Sequence, residues 1–97
     1  IDLFLGIVAN SRDIIESRYP GSEFHVILWD SVHGPNSDTV LKGLADRGIN
    51  VHTVSDIIPD LEENPSRYYI APPVEWHPAP SAYEQLASYV VSQIVAR

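Results

Sequence analysis

The chain has 97 residues, 44% of them hydrophobic, and a formal net charge of -7 from 13 acidic and 6 basic residues. This length predicts one globular unit, residues 1–97, and the acidic balance without a Lys/Arg cluster argues against a nucleic-acid partner. No apolar run approaches the ~18–20 residues that cross a bilayer, and without cysteine the chain forms neither disulfides nor thiolate metal sites. We expect no membrane span and no cofactor, and the composition leaves the cellular compartment open.

Four elements are predicted in the first half of the chain. Residues 2–18 place apolar side chains at helical spacing, and the sequence YPGS ends that helix. The apolar run FHVILWD, residues 24–30, predicts a strand that is buried on both faces. Asn36 or Ser37 is expected to cap a second helix through DTVLKGLADRG, and INVHTVS, residues 49–55, predicts a second strand.

The second half is divided between a long loop and a last helix. Residues 56–80 are rich in proline and acid, and an irregular segment of this length commonly carries a functional site. From Ser81 we predict a helix whose apolar stripe is formed by Tyr83, Leu86, Ala87, Val90, Val91, Ile94 and Val95. Helix, strand, helix and strand with short connections predict an α/β unit with parallel strands and a right-handed crossover.

Two strands are too few for a parallel sheet, because such sheets occur almost only with several strands and with helices on both faces. The chain also contains no methionine and begins with an apolar residue. We therefore expect an incomplete, C-terminal portion of a larger domain. The missing strands would come from the upstream part of the same polypeptide or from self-association.

His77 lies at the entrance to the last helix, between several prolines. Pro78 restricts the histidine backbone to extended conformations, so the ring should be presented on the loop. Glu75, two residues earlier, would lie on the same side of an extended segment and accept a hydrogen bond from one ring nitrogen. A carboxylate in that place stabilises the imidazolium, which is the arrangement of a general base. The alternative is a histidine that only caps the helix.

The segment EWHPAPSAYEQLASYVVSQIV resembles the C-terminal block of the SGNH (GDSL) hydrolases, where an acid and a histidine share a loop before the last helix. The segments RYPGSEFHVILWD, LADRGINVHTVSDIIPDL and RYYIAPPVEWHP resemble, in that order, the late helix-to-strand unit, the next helix–strand pair and the active-site loop of the family. The resemblance covers nearly the whole chain. It implies the C-terminal portion of a three-layer α/β/α, flavodoxin-like fold.

Two features depart from the family's pattern. The commonest form has Asp three residues before the histidine, where this chain has Val74, so Glu75 is the orienting acid only in a variant spacing. The Gly-Asp-Ser nucleophile block and the glycine and asparagine of the oxyanion hole precede this region in the family. The resemblance therefore implies a serine esterase or lipase for a small-molecule ester, with catalytic His77 and Glu75, a nucleophile upstream, and no activity in this chain alone.

Three further residues are candidate substrate contacts. Asp30 and His33 follow the first predicted strand, at the carboxyl edge where open α/β sheets bind ligands. Trp76, next to the histidine, would line an acyl or glycosyl pocket or cover the core. His25 and His52 lie inside predicted strands, and we interpret both as structural residues.

Two alternatives to catalysis remain at this stage. The first is a non-catalytic α/β module that keeps the family's scaffold and binds a partner or a carbohydrate at the edge near Asp30 and His33. The second is a self-pairing oligomer. The carboxylates of Asp60, Glu62 and Glu63 are predicted to form a solvated face and not a metal site, because consecutive acids in a loop usually do so.

Overall fold

A computed structural model of the protein describes residues 1–30 and 36–96. The helices are α1 Asp2–Arg18, α2 Ser37–Asp46, α3 Val54–Ile57, α4 Pro65–Tyr68 and α5 Pro80–Tyr89, and α5 continues as a π-helical segment, Val90–Val95. The strands are β1 His25–Leu28, β2 Asn50–Thr53, β3 Tyr69–Ala71 and β4 Glu75–Pro78. The protein is therefore mixed α/β, and the helix–strand–helix–strand order predicted for the first half is confirmed.

The ends of α2 follow local backbone rules only in part. Asn36 precedes the helix in a left-handed conformation, with φ of 63°, and its side chain makes no cap hydrogen bond, so Asn36 does not provide the predicted side-chain cap. Asp38 in the first turn places a negative charge near the helix N-terminus, which is favourable. Gly48, with φ of 69°, ends the helix because glycine adopts this conformation without a Cβ clash.

The first core lies on one face of a two-stranded sheet. β1 and β2 pair in parallel, with Val26 beside Val51 and Ile27 beside His52. Val26 and Val51 face a cluster of buried residues from the two long N-terminal helices and the turn after α2, formed by Leu5, Leu44 and Ile49. The opposite face of the sheet carries His25, Ile27 and His52, since side chains alternate along a strand.

The prediction that the first strand is buried on both faces is wrong. Ile27 is 38% exposed, and the rest of β1 is only partly buried. The sheet has two strands, and α1 and α2 contribute their apolar residues to one face of it. An apolar run of this kind is fully buried only where helices cover both faces of a wider sheet.

The prediction of an irregular segment over residues 56–80 is also wrong. It contains α4 and an antiparallel hairpin of β3 and β4, in which Tyr69 pairs with Pro78. The turn of the hairpin contains a cis peptide bond between Pro72 and Pro73. These elements and the last helix share a second core, formed by Val54, Ile58, Leu61, Tyr68, Tyr69 and Ala82.

The last helix begins at Pro80, close to the predicted start, but its apolar stripe is not continuously buried. Tyr83, Val91 and Val95 are 57%, 60% and 73% exposed, whereas Ala82 is fully buried and Leu86 packs against the second core. The change from α-helical to π-helical hydrogen bonding after Tyr89 explains part of this, because it alters the spacing of side chains around the axis. Across residues 1–30 and 36–96, no helix has both the length and the apolar character that a bilayer crossing requires.

Candidate active site

Strand alternation in β4 builds the candidate site. Glu75 and His77 point to the exposed side of the strand, whereas Trp76 and Pro78 lie on the partly buried side. His77 was expected on a loop ahead of the last helix, and the structure places it in a short strand instead. The strand pairs with β3 through Tyr69 and Ala71, so the backbone that carries the two side chains is held by a hairpin.

The Glu75 carboxylate contacts the His77 ring directly. Its Oε1 atom is the partner of His77 Nδ1, and the two side chains are 51% and 68% exposed. A carboxylate at Nδ1 keeps that nitrogen protonated and so directs the lone pair of neutral imidazole to Nε2. The arrangement presents an oriented imidazole at the surface, able to accept a proton at Nε2.

The reading of His77 as a helix cap has no support from the contacts around the helix start. The N-cap residue of α5 is Ala79, and no side chain makes a cap hydrogen bond there. Val74, three residues before His77, is 91% exposed in the hairpin turn. Within the hairpin the carboxylate that reaches the ring is therefore that of Glu75.

Aromatic packing anchors the strand on its buried side. The rings of Trp76 and Tyr69 meet edge to face, with centroids 5.0 Å apart, and Trp29 Nε1 donates a hydrogen bond of 3.2 Å to the Tyr69 hydroxyl. Trp76 thus points away from the exposed face that carries His77 and packs against the second core. The aromatic cluster of Trp29, Tyr69 and Trp76 connects the hairpin to the end of β1.

The structure gives Asp30 a partner within the chain. Both carboxylate oxygens bind Ser55, which donates its backbone N–H at 2.9 Å and its hydroxyl at 2.5 Å. Asp30 follows β1 and Ser55 lies in α3, directly after β2, so this contact joins the carboxyl ends of the two parallel strands. His33, the other candidate at this edge, lies outside the described residues.

His25 and His52, interpreted from the sequence as structural, take part in a continuous set of hydrogen bonds. His25 Nδ1 lies 2.8 Å from His52 Nε2, and His25 Nε2 lies 2.8 Å from Glu23 Oε1. His52 Nδ1 lies 2.6 Å from the Tyr89 hydroxyl. Sequence reasoning found the two histidines but missed the connection. The parallel pairing predicted for the two strands could have indicated this connection, because parallel neighbours can bring both histidine side chains to one face of the sheet.

The carboxylates of the acidic segment do not all face solvent. Asp60 accepts a hydrogen bond of 2.8 Å from the Tyr68 hydroxyl and another from the Asn64 side chain. The hydrogen bond to Asp60 and desolvation raise the pKa of Tyr68, while the Arg67 charge opposes the rise. Glu62 and Glu63 are exposed, as predicted. In the described part of the chain, no group of three histidine or acidic side chains is arranged to hold a metal ion.

No protein-family model matches the chain, and neither a curated protein nor a solved structure shows significant similarity to it. The relation to SGNH hydrolases is therefore a proposal that rests on the residues and the geometry described above.

Proposed function

We propose that this chain is the C-terminal part of an SGNH-type serine esterase or lipase, in which His77 is the general base and Glu75 orients it. The observation that carries the proposal is the contact between Glu75 Oε1 and His77 Nδ1 on the exposed face of β4. An acid on one ring nitrogen and an accessible second nitrogen are the two requirements for a histidine that activates a hydroxyl nucleophile.

The proposed reaction is the hydrolysis of an ester through an acyl-serine intermediate. A serine supplied by the upstream part of the polypeptide would transfer its hydroxyl proton to His77 Nε2 as its oxygen attacks the ester carbonyl. Glu75 would stabilise the imidazolium, which then gives the proton to the departing alcohol. Water would then attack the acyl-serine while His77 accepts its proton. This step would release the carboxylic acid, and His77 would return the proton to the serine. Upstream donors would stabilise the oxyanion in both halves of the reaction.

The narrow parallel sheet, with no further strand at either edge in the described structure, supports the same proposal at the level of the fold. β1 and β2 form a parallel sheet of two strands, and its second face carries the partly exposed Ile27. Parallel sheets are normally wider and covered by helices on both faces. Further strands and helices from upstream would complete a three-layer α/β/α domain, with this chain as its C-terminal portion.

The test uses a longer polypeptide that includes the segment preceding Ile1 and hydrolyses a short p-nitrophenyl ester. His77→Ala removes the proton acceptor and should lower kcat/KM by a factor on the order of 10²–10⁴. Folding should change little, because the His77 side chain is 68% exposed. His25→Ala is the matched histidine control and should lower the melting temperature without lowering the turnover of the folded fraction.

Two substitutions at the acid sharpen the test. Glu75→Gln keeps an acceptor oxygen for the ring but removes the charge, so it should lower kcat less than His77→Ala does. Val74→Asp, added to Glu75→Gln, should restore part of the loss if the hairpin turn can bring an acid from that position to the ring. Parental activity in His77→Ala would refute the role of His77 as the general base. No hydrolysis by the parental longer polypeptide would favour a non-catalytic binding module on the same scaffold.

A further inference from the structure

On the side of the parallel sheet opposite α1 and α2, four side chains form one line of hydrogen bonds, which we call the histidine chain: Glu23, His25, His52 and Tyr89. The two imidazole rings are 26° from coplanar, with centroids 5.1 Å apart. With 2.8 Å between His25 Nδ1 and His52 Nε2, this geometry fits an N–H···N bond directed from one ring edge to the other. The His25 side chain is only 12% exposed.

The direction of every hydrogen bond follows from its Glu23 end. An ionised carboxylate only accepts, so His25 Nε2 carries a proton and donates to Glu23. Neutral His25 then has a bare Nδ1, and His52 must donate to it from Nε2. His52 Nδ1 is bare in turn and accepts from the Tyr89 hydroxyl. Both neutral histidines are thus Nε2–H tautomers.

The histidine chain can bind one additional proton without losing any of its hydrogen bonds. If His25 becomes cationic, His52 can change tautomer, accept from His25 through Nε2 and donate to the Tyr89 oxygen through Nδ1. With a second proton, two N–H groups on two cations would face each other at the His25–His52 contact. That bond has no acceptor and cannot persist at 2.8 Å.

One carboxylate contacts the histidine pair, at its outer end. Glu23 faces His25 from the segment before β1 and reaches it at 2.8 Å. On α2, Lys42 pairs with Asp46 at the exposed surface, and at the end of β1 Asp30 is bound to Ser55. Among the described residues of the last helix, Tyr89 bonds to His52 through its hydroxyl.

Tyr89 connects the pair to a particular point of the last helix. It is the final residue of α5, and the π-helical segment Val90–Val95 begins directly after it. None of the residues in that segment is fully buried, so Tyr89 is the nearest preceding residue of the helix with a hydrogen bond to the sheet. Displacement of the His52 ring therefore also displaces Tyr89 and the segment that follows.

We propose that the histidine chain is a pH-dependent anchor that holds the end of the last helix to the parallel sheet. When both rings are protonated the His25–His52 bond separates, and the displaced His52 ring no longer holds the Tyr89 hydroxyl in place. The inference stands independently of the proposed esterase function. Acidic solution should leave the α1–α2 side of the sheet intact while Val90–Val95 loses its fixed position.

The first test is nitrogen NMR of the ¹⁵N-histidine-labelled chain. At neutral pH both His25 and His52 should show the Nε2–H tautomer. Glu23→Gln, whose amide can donate as well as accept, should give mixed tautomers at both rings, whereas Glu16→Gln on the exposed side of α1 should change neither. An Nδ1–H tautomer at either ring of the wild-type chain, or no response to Glu23→Gln, would overturn the proposal.

The second test is hydrogen exchange of residues 90–96 as the pH falls. Exchange should accelerate, beyond its intrinsic pH dependence, at the pH where the second histidine proton binds. Tyr89→Phe should give the fast exchange already at neutral pH, and Tyr83→Phe, an exposed tyrosine on the same helix, should not. While the anchor is intact, the unfolded chain binds one more proton at this pair than the folded chain does. As the pH falls, the folding equilibrium constant should therefore decrease by up to about tenfold more per pH unit than in His25→Gln. Equal slopes, or unchanged exchange with both rings charged, would contradict the anchor.

Discussion

At the scale of single residues, the contact between Tyr68 and Asp60 shows how an acid in a loop satisfies a polar group of the core. Tyr68 is 3% exposed, and its hydroxyl donates to a carboxylate that also accepts from Asn64. A buried phenol needs such a partner, because an unpaired buried hydroxyl costs about 1–3 kcal/mol. The bond also makes ionisation of this tyrosine unfavourable in the folded protein, since a phenolate cannot donate to Asp60.

The raised pKa of Tyr68 predicts a loss of stability in alkaline solution. Its folded pKa lies above the unfolded value of about 10, so its contribution is complete below that pH and disappears as the pH rises through the folded pKa. Urea unfolding at several pH values between 8 and 11 should show the stability difference between wild type and Tyr68→Phe shrinking as the pH rises. A difference that stays constant over this range would contradict the role of the hydrogen bond.

Residue patterns predict the local part of the candidate site and not the long-range part. Glu75 and His77 are two positions apart in an extended segment, so strand alternation alone places both on one side. The partner of Asp30 is 25 residues away and that of His52 is 37 residues away. No local pattern identifies such partners, because their approach depends on how the strands and the last helix pack.

At the scale of elements, the periodic segments were predictable and the short ones were not. α1 follows its predicted range closely because its apolar spacing extends over several turns. The hairpin of β3 and β4 has strands of three and four residues, too short for a periodic signal, and its prolines indicate a loop. The predicted burial of the first strand was too high. An apolar run predicts a sheet covered on both faces, but the run itself does not show whether helices are present to cover them.

The packing of α1 on α2 depends on the absence of a side chain at Gly43. A Cβ atom there would collide with Leu5 Cδ1, and Leu5 is the buried residue of α1. Gly43→Ala should therefore destabilise the protein: overpacking costs about 1–3 kcal/mol, against about 1 kcal/mol gained in helix propensity. In a Leu5→Ala background the same substitution should become stabilising by about 1 kcal/mol. Urea unfolding of the four proteins gives both values.

Gly6→Ala on α1 is the matched control for this cycle. Its added Cβ meets no atom within 4 Å, so only helix propensity should act and stability should rise by about 1 kcal/mol. If Gly43→Ala has the same effect with and without Leu5, the two helices do not meet through this contact.

At the scale of the whole molecule, the surface is larger than a compact monomer of this mass requires. The accessible surface is 6363 Å², whereas a folded monomer of 10.8 kDa exposes about 5,500 Å². The radius of gyration is 14.8 Å, against about 12.5 Å for a compact chain of this length. The extents of 42 × 32 × 17 Å describe a flat particle, and many of its large hydrophobic side chains are exposed.

The open apolar surface of α1 predicts self-association of the isolated chain. Leu3 and Ile7 are 78% and 58% exposed on this helix, and both edges of the parallel sheet are unpaired in the described structure. Light scattering at micromolar concentration should give a mass above 10.8 kDa that increases with concentration. Leu3→Glu with Ile7→Glu should lower that mass, and Ser17→Glu, which adds charge elsewhere on the helix, should lower it less. A sharp monomer with a cooperative melt would contradict this prediction.

The π-helical segment at the end of α5 also affects which changes of chain length the protein tolerates. A helix with i→i+5 hydrogen bonds contains more residues per turn than an α-helix, so losing one residue lets it return to the narrower helix. Tyr89 lies before this segment, and no residue within Val90–Val95 is buried. Homologous chains should therefore vary by one residue here without altering either core or the direction of the tyrosine, whereas the same insertion or deletion within α5 would rotate Tyr89 away from His52.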